Sequence, residues 1–375
     1  MTDTDRRAWA YLSRVTEQPC PQLSALVSEV GSVEAADRIK RGAVDEKLSH
    51  LTEARRGIDC AAEDLATLDG LGGRLVTVSD PEWPLLAFTA FTGVQARLRP
   101  QAHPPMVLWV VGPARLDDIA SRAAAIVGTR AATAYGAHVA ADLAAGLADR
   151  DVAVVSGGAY GIDGAAHRGA LSSGGFTVAV LAAGLDVGYP AGHSGLFRRI
   201  AEQGLLVTEY PPGARPTRRQ FLTRNRLVAS LAGATVVVEA GARSGAANTA
   251  AWARALGRSV CAVPGPVTSS ASVGCHALLR DGGANVVTRA EDIVELIGHI
   301  GELAPDEPRP TTVLDGLPDA EKRVYDALPA RGARTADEIA VASGLPALEV
   351  LGPLSMLEVC GLVVRQDGRW KLAVR

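Results

Sequence analysis

The sequence predicts an α/β protein: a mainly parallel sheet with helices on both faces, preceded by a small helical module and followed by a second small domain. Three observations carry that prediction. From about residue 121 to 298 short apolar runs alternate with helix-like stretches, the pattern of repeated βαβ units. The runs are nearly continuous, as expected of strands buried on both faces. The ends differ in texture: residues 1–70 read as charged, amphipathic helices, and residues 301–312 (GELAPDEPRPTT) as a Pro-rich, acidic linker.

In chain order, Ala8, Leu12 and Val15 share one helix face, as do Leu23, Leu26, Val27 and Val30. Gly31 offers a helix stop and Ser32 a new start. Beyond Gly72 the pattern turns to strand in RLVTVSD (Arg74–Asp80), which PEWP (Pro81–Pro84) breaks, and again in VLWVVG (Val107–Gly112). The core strands follow at 123–128, 152–158, 176–182, 205–210, 234–240, 259–265 and 284–288. The clearest helix follows Thr133, with Val139, Leu143 and Leu147 at fourfold spacing. These elements make residues 71–300 one core domain built on a mainly parallel sheet. In residues 313–375, helices over Glu321–Leu328, Thr335–Gly344 and within Leu345–Gly361 precede a hairpin that turns on Asp367-Gly368, a winged-helix pattern.

Net charge over the 375 residues is only −3, so total charge favours no partner. Its distribution does: residues 121–299 hold 16 Arg, no Lys and 12 acids, whereas the remainder holds 22 bases and 29 acids. A basic middle between acidic ends points to an anionic ligand at the centre. The five cysteines are scattered without metal-ligand or redox spacing, which argues against zinc and disulfide frameworks and fits a reducing compartment. The N-terminus lacks a signal-peptide apolar stretch, and no apolar run reaches membrane-span length. The expected location is the cytoplasm, with no cofactor.

In an open parallel sheet, ligands bind outside the carboxyl ends of the strands. Three loops there stand out. AIVGTR (Ala125–Arg130) places Gly128, Thr129 and Arg130 just before a helix. SGGAYGID (Ser156–Asp163) places Ser156, Gly157 and Gly158 before another. Both suit phosphate, because helix N-termini carry partial positive charge and unpaired N–H donors; alternatively, the glycines serve only close packing. Neither loop matches the dinucleotide fingerprint G-x-G-x-x-G, which weighs against NAD. The third loop, Pro211–Leu227, holds Arg215, Arg218, Arg219, Arg224 and Arg226, with no acid between Glu209 and Glu239, and Phe221 sits among them. Arginines beside an aromatic suit phosphates and a stacked base; the bland reading is a solvated basic loop with Phe221 in the core. The segment Glu239–Ala253 adds a further Gly-rich turn that shapes the site.

Catalysis would need a nucleophile with its base, paired carboxylates or metal ligands. Asp163 and His167 could touch across one helical turn, Glu239 ends a strand, and Cys275 adjoins His276. A capping acid with a hydrogen-bonding His, and a structural Cys-His pair, explain these better, so the expectation is binding without catalysis.

The strings AIVGTR, SGGAYGIDGAAHRGAL, VAVLAAGLDVGYP, GLLVTEYPPG, FLTRNRLVASL, VVVEAGARSGAANTA and AVPGPV, in this order, resemble the DprA (Smf) DNA-processing family over about residues 105–298. That resemblance implies a Rossmann-like domain that binds single-stranded DNA, forms a homodimer, and helps load RecA recombinase while displacing single-strand-binding protein in natural transformation. It also implies a SAM- or helix-hairpin-helix-like module at the N-terminus and a winged helix at the C-terminus. Carried over by motif, the DNA contacts are Arg130 of the G-[ST]-R turn, Ser156 and Gly157 of the SGG loop, Arg218 before F-x-x-R-N-R, and Phe221, Arg224, Asn225 and Arg226 within it; Gly128, Thr129, Gly158 and Arg219 flank them. This chain departs from the family pattern at Leu222, Ala246–Thr249, His193 and Gly274–His276. Two other classes compete: a nucleotide phosphoribohydrolase of the LOG type, whose P-G-G-x-G-T-x-x-E glutamate has no counterpart in Glu239–Ala253, and a winged-helix regulator of duplex DNA, disfavoured because residues 345–361 carry two Glu and no cation.

Overall fold

The computed structural model describes residues 1–94, 99, 101–242, 244–298, 302, 314 and 316–373. Residues 1–305 form one compact unit and 306–375 a second. The expected linker at 301–312 lies, Glu302 apart, outside the described residues.

Four helices open the chain: α1 (Asp3–Val15), α2 (Pro21–Arg41), α3 (Glu46–Thr52) and α4 (Ala61–Gly70). A capping box between Thr2 and Asp5 starts α1. Gly31, at φ 82°, breaks α2 into two helical pieces, as its expected stop requires. The helices share a core with the sheet: Leu12, Leu23, Ile39 and Leu68 cluster with Leu75, Trp109, Leu181 and Phe197.

The chain continues through β1 (Gly73–Thr77), α5 (Leu85–Thr89), β2 (Val107–Val111), α6 (Leu116–Ser121), β3 (Ala123–Val127), α7 (Ala134–Ala148), β4 (Ala153–Ser156), α8 (Ile162–Ser172), β5 (Thr177–Val180), α9 (Ser194–Gln203) and β6 (Leu205–Thr208). There follow α10 (Arg218–Ser230), β7 (Ala234–Val237), α11 (Gly245–Ala255), β8 (Ser259–Ala262), α12 (Val273–Arg280), β9 (Asn285–Val286) and α13 (Ala290–Ile297). The strands make a nine-stranded sheet in the order β1-β2-β6-β5-β4-β3-β7-β8-β9. Pairing is parallel from β6 to β9; β1 and β2 extend it antiparallel.

Successive residues of each core strand feed opposite faces. Ala123, Ala125 and Val127 of β3 join Leu227 and Trp252 on the face of α10 and α11. Ala124 and Ile126 join Leu143, Ala166 and Ile293 on the face of α7, α8 and α13. Both faces being dry, the strands need no polar alternation, which is why they read as unbroken apolar runs. From β3 the chain builds outward through β4, β5 and β6, then returns to place β7 on the other side of β3. The gap above β3 and β7 is therefore the switch point where a doubly wound sheet opens a crevice.

The second unit contains α14 (Asp319–Asp326), α15 (Ala336–Ser343), α16 (Ala347–Val359) and the hairpin β10 (Val363–Gln366) and β11 (Arg369–Leu372). Thr335 caps α15 in a box with Glu338, and Gly344 ends it in the left-handed region. The axes of α15 and α16 turn through 103°, a helix-turn-helix angle. Arg334 pairs with Trp370 through two backbone hydrogen bonds of 2.9 and 2.7 Å, an isolated antiparallel bridge onto the wing. Val324, Ile339, Val350, Leu354, Leu357 and Trp370 fill the core of this winged helix. The hairpin turns on Asp367 (φ 50°) and Gly368 (φ 74°), as a two-residue type I′ turn demands. No single helix among the described residues is long and apolar enough to cross a membrane.

Candidate nucleic-acid interface

At the switch point lies a cleft of about 520 Å³. The β3–α7 loop contributes Gly128, Thr129 and Arg130 to its wall, the β4–α8 loop Gly157, Ala159 and Asp163. Helix α10 and its approach add Pro216, Thr217, Arg218, Phe221, Leu222, Arg224 and Asn225; the start of α11 adds Ser244, Gly245, Ala246 and Thr249. Two helix N-termini thus border the space, each capped: Thr217 and Gln220 form a capping box on α10, and Ser244 accepts from the Ala247 N–H on α11. Their partial positive charge adds to that of the arginines.

The loops are tied to one another from below. The Thr129 N–H donates to the Glu239 carbonyl (2.8 Å), and the Ile162 N–H to the Thr129 carbonyl (3.2 Å). A Cβ on Gly161, whose φ is 78°, would lie 2.3 Å from that same Thr129 carbonyl, so only glycine lets the two loops meet. Asp163 accepts from the N–H groups of Gly157 (3.1 Å) and Ala159 (3.4 Å). Burial pushes its carboxyl above the ordinary range, against the pull of the neighbouring Arg224 guanidinium. Arg224 donates to the carbonyls of Gly157 (2.6 Å) and Val180, and its guanidinium fills the space a Gly157 side chain would need. The Gly157 N–H, expected to face a ligand, is therefore held by Asp163.

The arginines of the third loop divide. Arg215, Arg218 and Arg219 are exposed, as is Arg130, and among the described residues no carboxylate pairs with any of them. Arg226 is fully buried and donates to Glu209 at 2.7 Å. The expectation that this loop lacks acidic partners is corrected here: Glu209, the last residue before the acid-free stretch, turns back to neutralise Arg226. Ser156 is also fully buried, its hydroxyl donating to the Ile126 carbonyl at 2.6 Å. Neither Ser156 nor Arg226 lines the cleft, and neither do Gly158 and Arg219. Gly158 turns the loop at φ 72°, and its carbonyl lies 3.0 Å from His193 Nδ1. Asn225 lines the cleft while its amide donates to the Gly245 carbonyl (3.3 Å) and Asn248 Oδ1 (3.2 Å), fixing α10 to α11.

Phe221 is half-buried at the rim, outside the core clusters. The Arg130 guanidinium lies 4.8 Å from its ring centre and the Tyr189 ring 5.7 Å away. Tyr189, from the GLDVGYP string, carries no local sign of an anion site: its charged neighbour there, Asp186, is an acid. Thr217 and Ser244 were equally legible as helix caps and were not read as lining.

The groups with catalytic potential are engaged elsewhere. His167 Nδ1 lies 2.7 Å from Thr177 Oγ1, whose own proton goes to the Val154 carbonyl at 2.8 Å, so Nδ1–H is the donor. Burial lowers the His167 pKa to about 3, and it makes no hydrogen bond to Asp163. Glu239 caps α7, accepting from Thr133 N (2.9 Å) and Thr133 Oγ1 (2.5 Å). The Cys275 thiol is buried against the carbonyls of Val237 and Val238 and pushed up to about 11, while His276 Nε2 faces the Gly265 carbonyl at 3.0 Å. Among the described residues no group of three His, Cys, Asp or Glu gathers as metal ligands.

Fold and cleft define the class: an α/β protein with a doubly wound sheet and a cationic, aromatic-rimmed crevice at its switch point, carried together with a winged helix. The chain belongs to the DprA family of DNA recombination mediators. Residues 74–298 match the family of DNA recombination-mediator protein A, and residues 305–369 the DprA winged helix domain. The chain is 70% identical over 372 residues to a putative DNA processing protein DprA of Mycobacterium tuberculosis, covering 99% of this chain and 95% of that one. The X-ray structure of DNA processing protein A from Streptococcus pneumoniae superimposes with a TM-score of 0.60 at 29% identity, over 78% of this chain and 97% of that one. The structure of DNA processing protein A from Helicobacter pylori, described for its single-stranded DNA binding mode, gives 0.51 at 29% identity over 59% and 94%.

Proposed function

We propose that the chain binds single-stranded DNA in the switch-point cleft and acts on it as a recombination mediator, without chemical processing. The carrying observation is that Arg130 and Arg218, both exposed and without carboxylate partners among the described residues, border the same cleft as the half-buried ring of Phe221. Guanidinium groups capture phosphates and an aromatic face accepts a base of any identity, the chemistry of sequence-tolerant single-strand binding. Of the twelve residues expected to contact DNA, Gly128, Thr129, Arg130, Gly157, Arg218, Phe221, Arg224 and Asn225 line the cleft; Arg130, Arg218 and Phe221 are assigned to the strand, with Gly128, Thr129 and Asn225 beside them, while Gly157 and Arg224 form the floor. Ser156 and Arg226 support it from beneath. Gly158 shapes the loop, and Arg219 adds long-range field. The single-stranded DNA named for the Helicobacter pylori protein supports the same ligand class.

Family membership supports the finer role: a cytoplasmic homodimer that shelters incoming single strands, displaces single-strand-binding protein and loads RecA recombinase during natural transformation. The phosphoribohydrolase reading needs a free carboxylate at the cleft, and Glu239 is spent on capping α7. The duplex-regulator reading needs a cationic recognition helix, whereas α16 exposes Leu348, Leu351, Met356 and Val359 and carries no Lys or Arg. A salt titration against oligo-dT and a blunt duplex of equal length tests the proposal. The single strand should bind more tightly at every salt concentration; equal affinities, or release of free base from a nucleotide, would overturn it.

A further inference from the structure

A second cavity, of about 340 Å³, opens on the far side of the α10 N-terminus, between it and the opening helices. Thr217 lines both this cavity and the main cleft, so the two adjoin around one helix cap. Three features make it more than a surface dent. Arg215 projects into it, exposed and with no carboxylate partner among the described residues. Ile58 supplies a half-exposed apolar wall. Gln18 and Tyr210, 7% and 5% exposed, also line it, and Gln18 Oε1 and Tyr210 OH are buried without a hydrogen-bond partner. Buried polar atoms ordinarily find partners, so two residues of one cavity wall that each carry a buried polar atom with none among the described residues mark this wall as unusual.

We infer that this cavity is a second nucleotide subsite, in which the strand leaving the main cleft continues past Thr217 onto the N-terminal helices. The volume suits one nucleotide: Arg215 takes the phosphate, Ile58 packs against the base or sugar, and Gln18 and Tyr210 meet its polar edge. The N-terminal helices thereby become part of the DNA-binding surface and lengthen the footprint of each protomer. This inference rests on the single-strand reading of the main cleft.

The test is a ladder of oligo-dT lengths, grown one nucleotide at a time, titrated against the full chain and its Arg215→Glu and Ile58→Asp variants. Both side chains are exposed, so folding is preserved. The parent should gain affinity in two stages as the strand first fills the main cleft and then reaches the second cavity. Both variants should bind the shortest strands as the parent does and lose the second stage, roughly fivefold or more, with the long-strand salt slope of Arg215→Glu reduced by about 0.7 per lost phosphate contact. Arg199→Glu, an equal charge change on α9 outside both cavities, should leave the ladder unchanged. A parent that binds no single strand of any length would remove the main-cleft reading. A parent that binds, with a second stage untouched in both variants or lost equally in Arg199→Glu, would remove the subsite alone.

Discussion

Along α10, Arg218 and Arg219 stand in solvent without a carboxylate partner among the described residues, whereas Arg224 and Arg226, two turns on, are buried beneath the loops they support. The same side chain thus serves two economies on one helix. At the outer turn a guanidinium keeps its hydration until a phosphate replaces it. In the inner turns it has already lost its water and holds carbonyls and Glu209 instead. The buried polar layer of Asp163, His167, Arg224, Arg226 and Glu239 fixes the loops, and the rim of Arg130, Arg218 and Phe221 meets the ligand. Rim residues should therefore alter binding with little effect on stability, and the buried layer the reverse.

The largest effect is expected at Arg226. Removing one partner of a fully buried ion pair leaves an uncompensated charge, at a cost of about 3–5 kcal/mol. Arg226→Met should lower the urea midpoint accordingly, and adding Glu209→Leu should restore much of the loss, because the stranded carboxylate goes with it. Its folded fraction should bind oligo-dT as the parent does. A variant as stable as the parent would break the division between layer and rim.

His167 sharpens the same division through pH. Its folded-state pKa of about 3 lies below the ordinary histidine value of 6.5, so the unfolded chain takes the proton first as pH falls. Stability from His167 is intact above pH 6.5 and erodes between 6.5 and about 3, by at most about 1.4 kcal/mol per pH unit. His167→Gln, which keeps an N–H for Thr177 but does not titrate, should show a shallower acid-side loss in denaturant titrations. Matching pH profiles would mean that the ring is not held neutral.

Much of this layering was hidden from the sequence, although the frame was not. The core strands announced themselves because burial on both faces forces continuous apolar runs, and Thr133, Thr335 and Gly344 marked helix ends through local capping chemistry. The three loops came together in space because the carboxyl edge of a parallel sheet gathers them whatever their order. What sequence could not separate was Arg218 from Arg226: both belong to one acid-free stretch, and only the path of β6 brings Glu209 under α10. Ser156 misled in the same way, since a serine at a Gly-rich turn looks available until the strand register buries it against Ile126. Local signals predicted elements well; the direction of a side chain at an element's end depends on neighbours distant in sequence.

Phe221 tests the rim from its apolar side. A core phenylalanine costs about 3–5 kcal/mol of stability when truncated, but this ring is half-buried and outside the core clusters. Phe221→Ala should melt close to the parent and weaken oligo-dT binding by about 1–3 kcal/mol, with the salt slope unchanged because no charge is lost. A melting temperature many degrees lower, with normal binding by the folded fraction, would move Phe221 into the buried layer.

The smallest effect, and the most diagnostic, is expected at Arg218. It is exposed at the first turn of α10, with neither a carboxylate partner among the described residues nor a place in the core, so Arg218→Ala should leave thermal stability unchanged. A guanidinium at a phosphate acts by releasing condensed counterions, so its loss is read in the salt dependence and not only in affinity at one condition. The plot of log affinity against log salt should flatten by about 0.7 for the contact removed. The helix dipole and the Thr217 cap remain in the variant, so binding should weaken without vanishing. Arg219→Ala supplies the internal comparison: Arg219 is equally exposed and one residue away, but it does not line the cleft. If both substitutions flatten the slope equally, α10 attracts the strand by general field alone; if only Arg218→Ala does, the phosphate sits where the cleft places it.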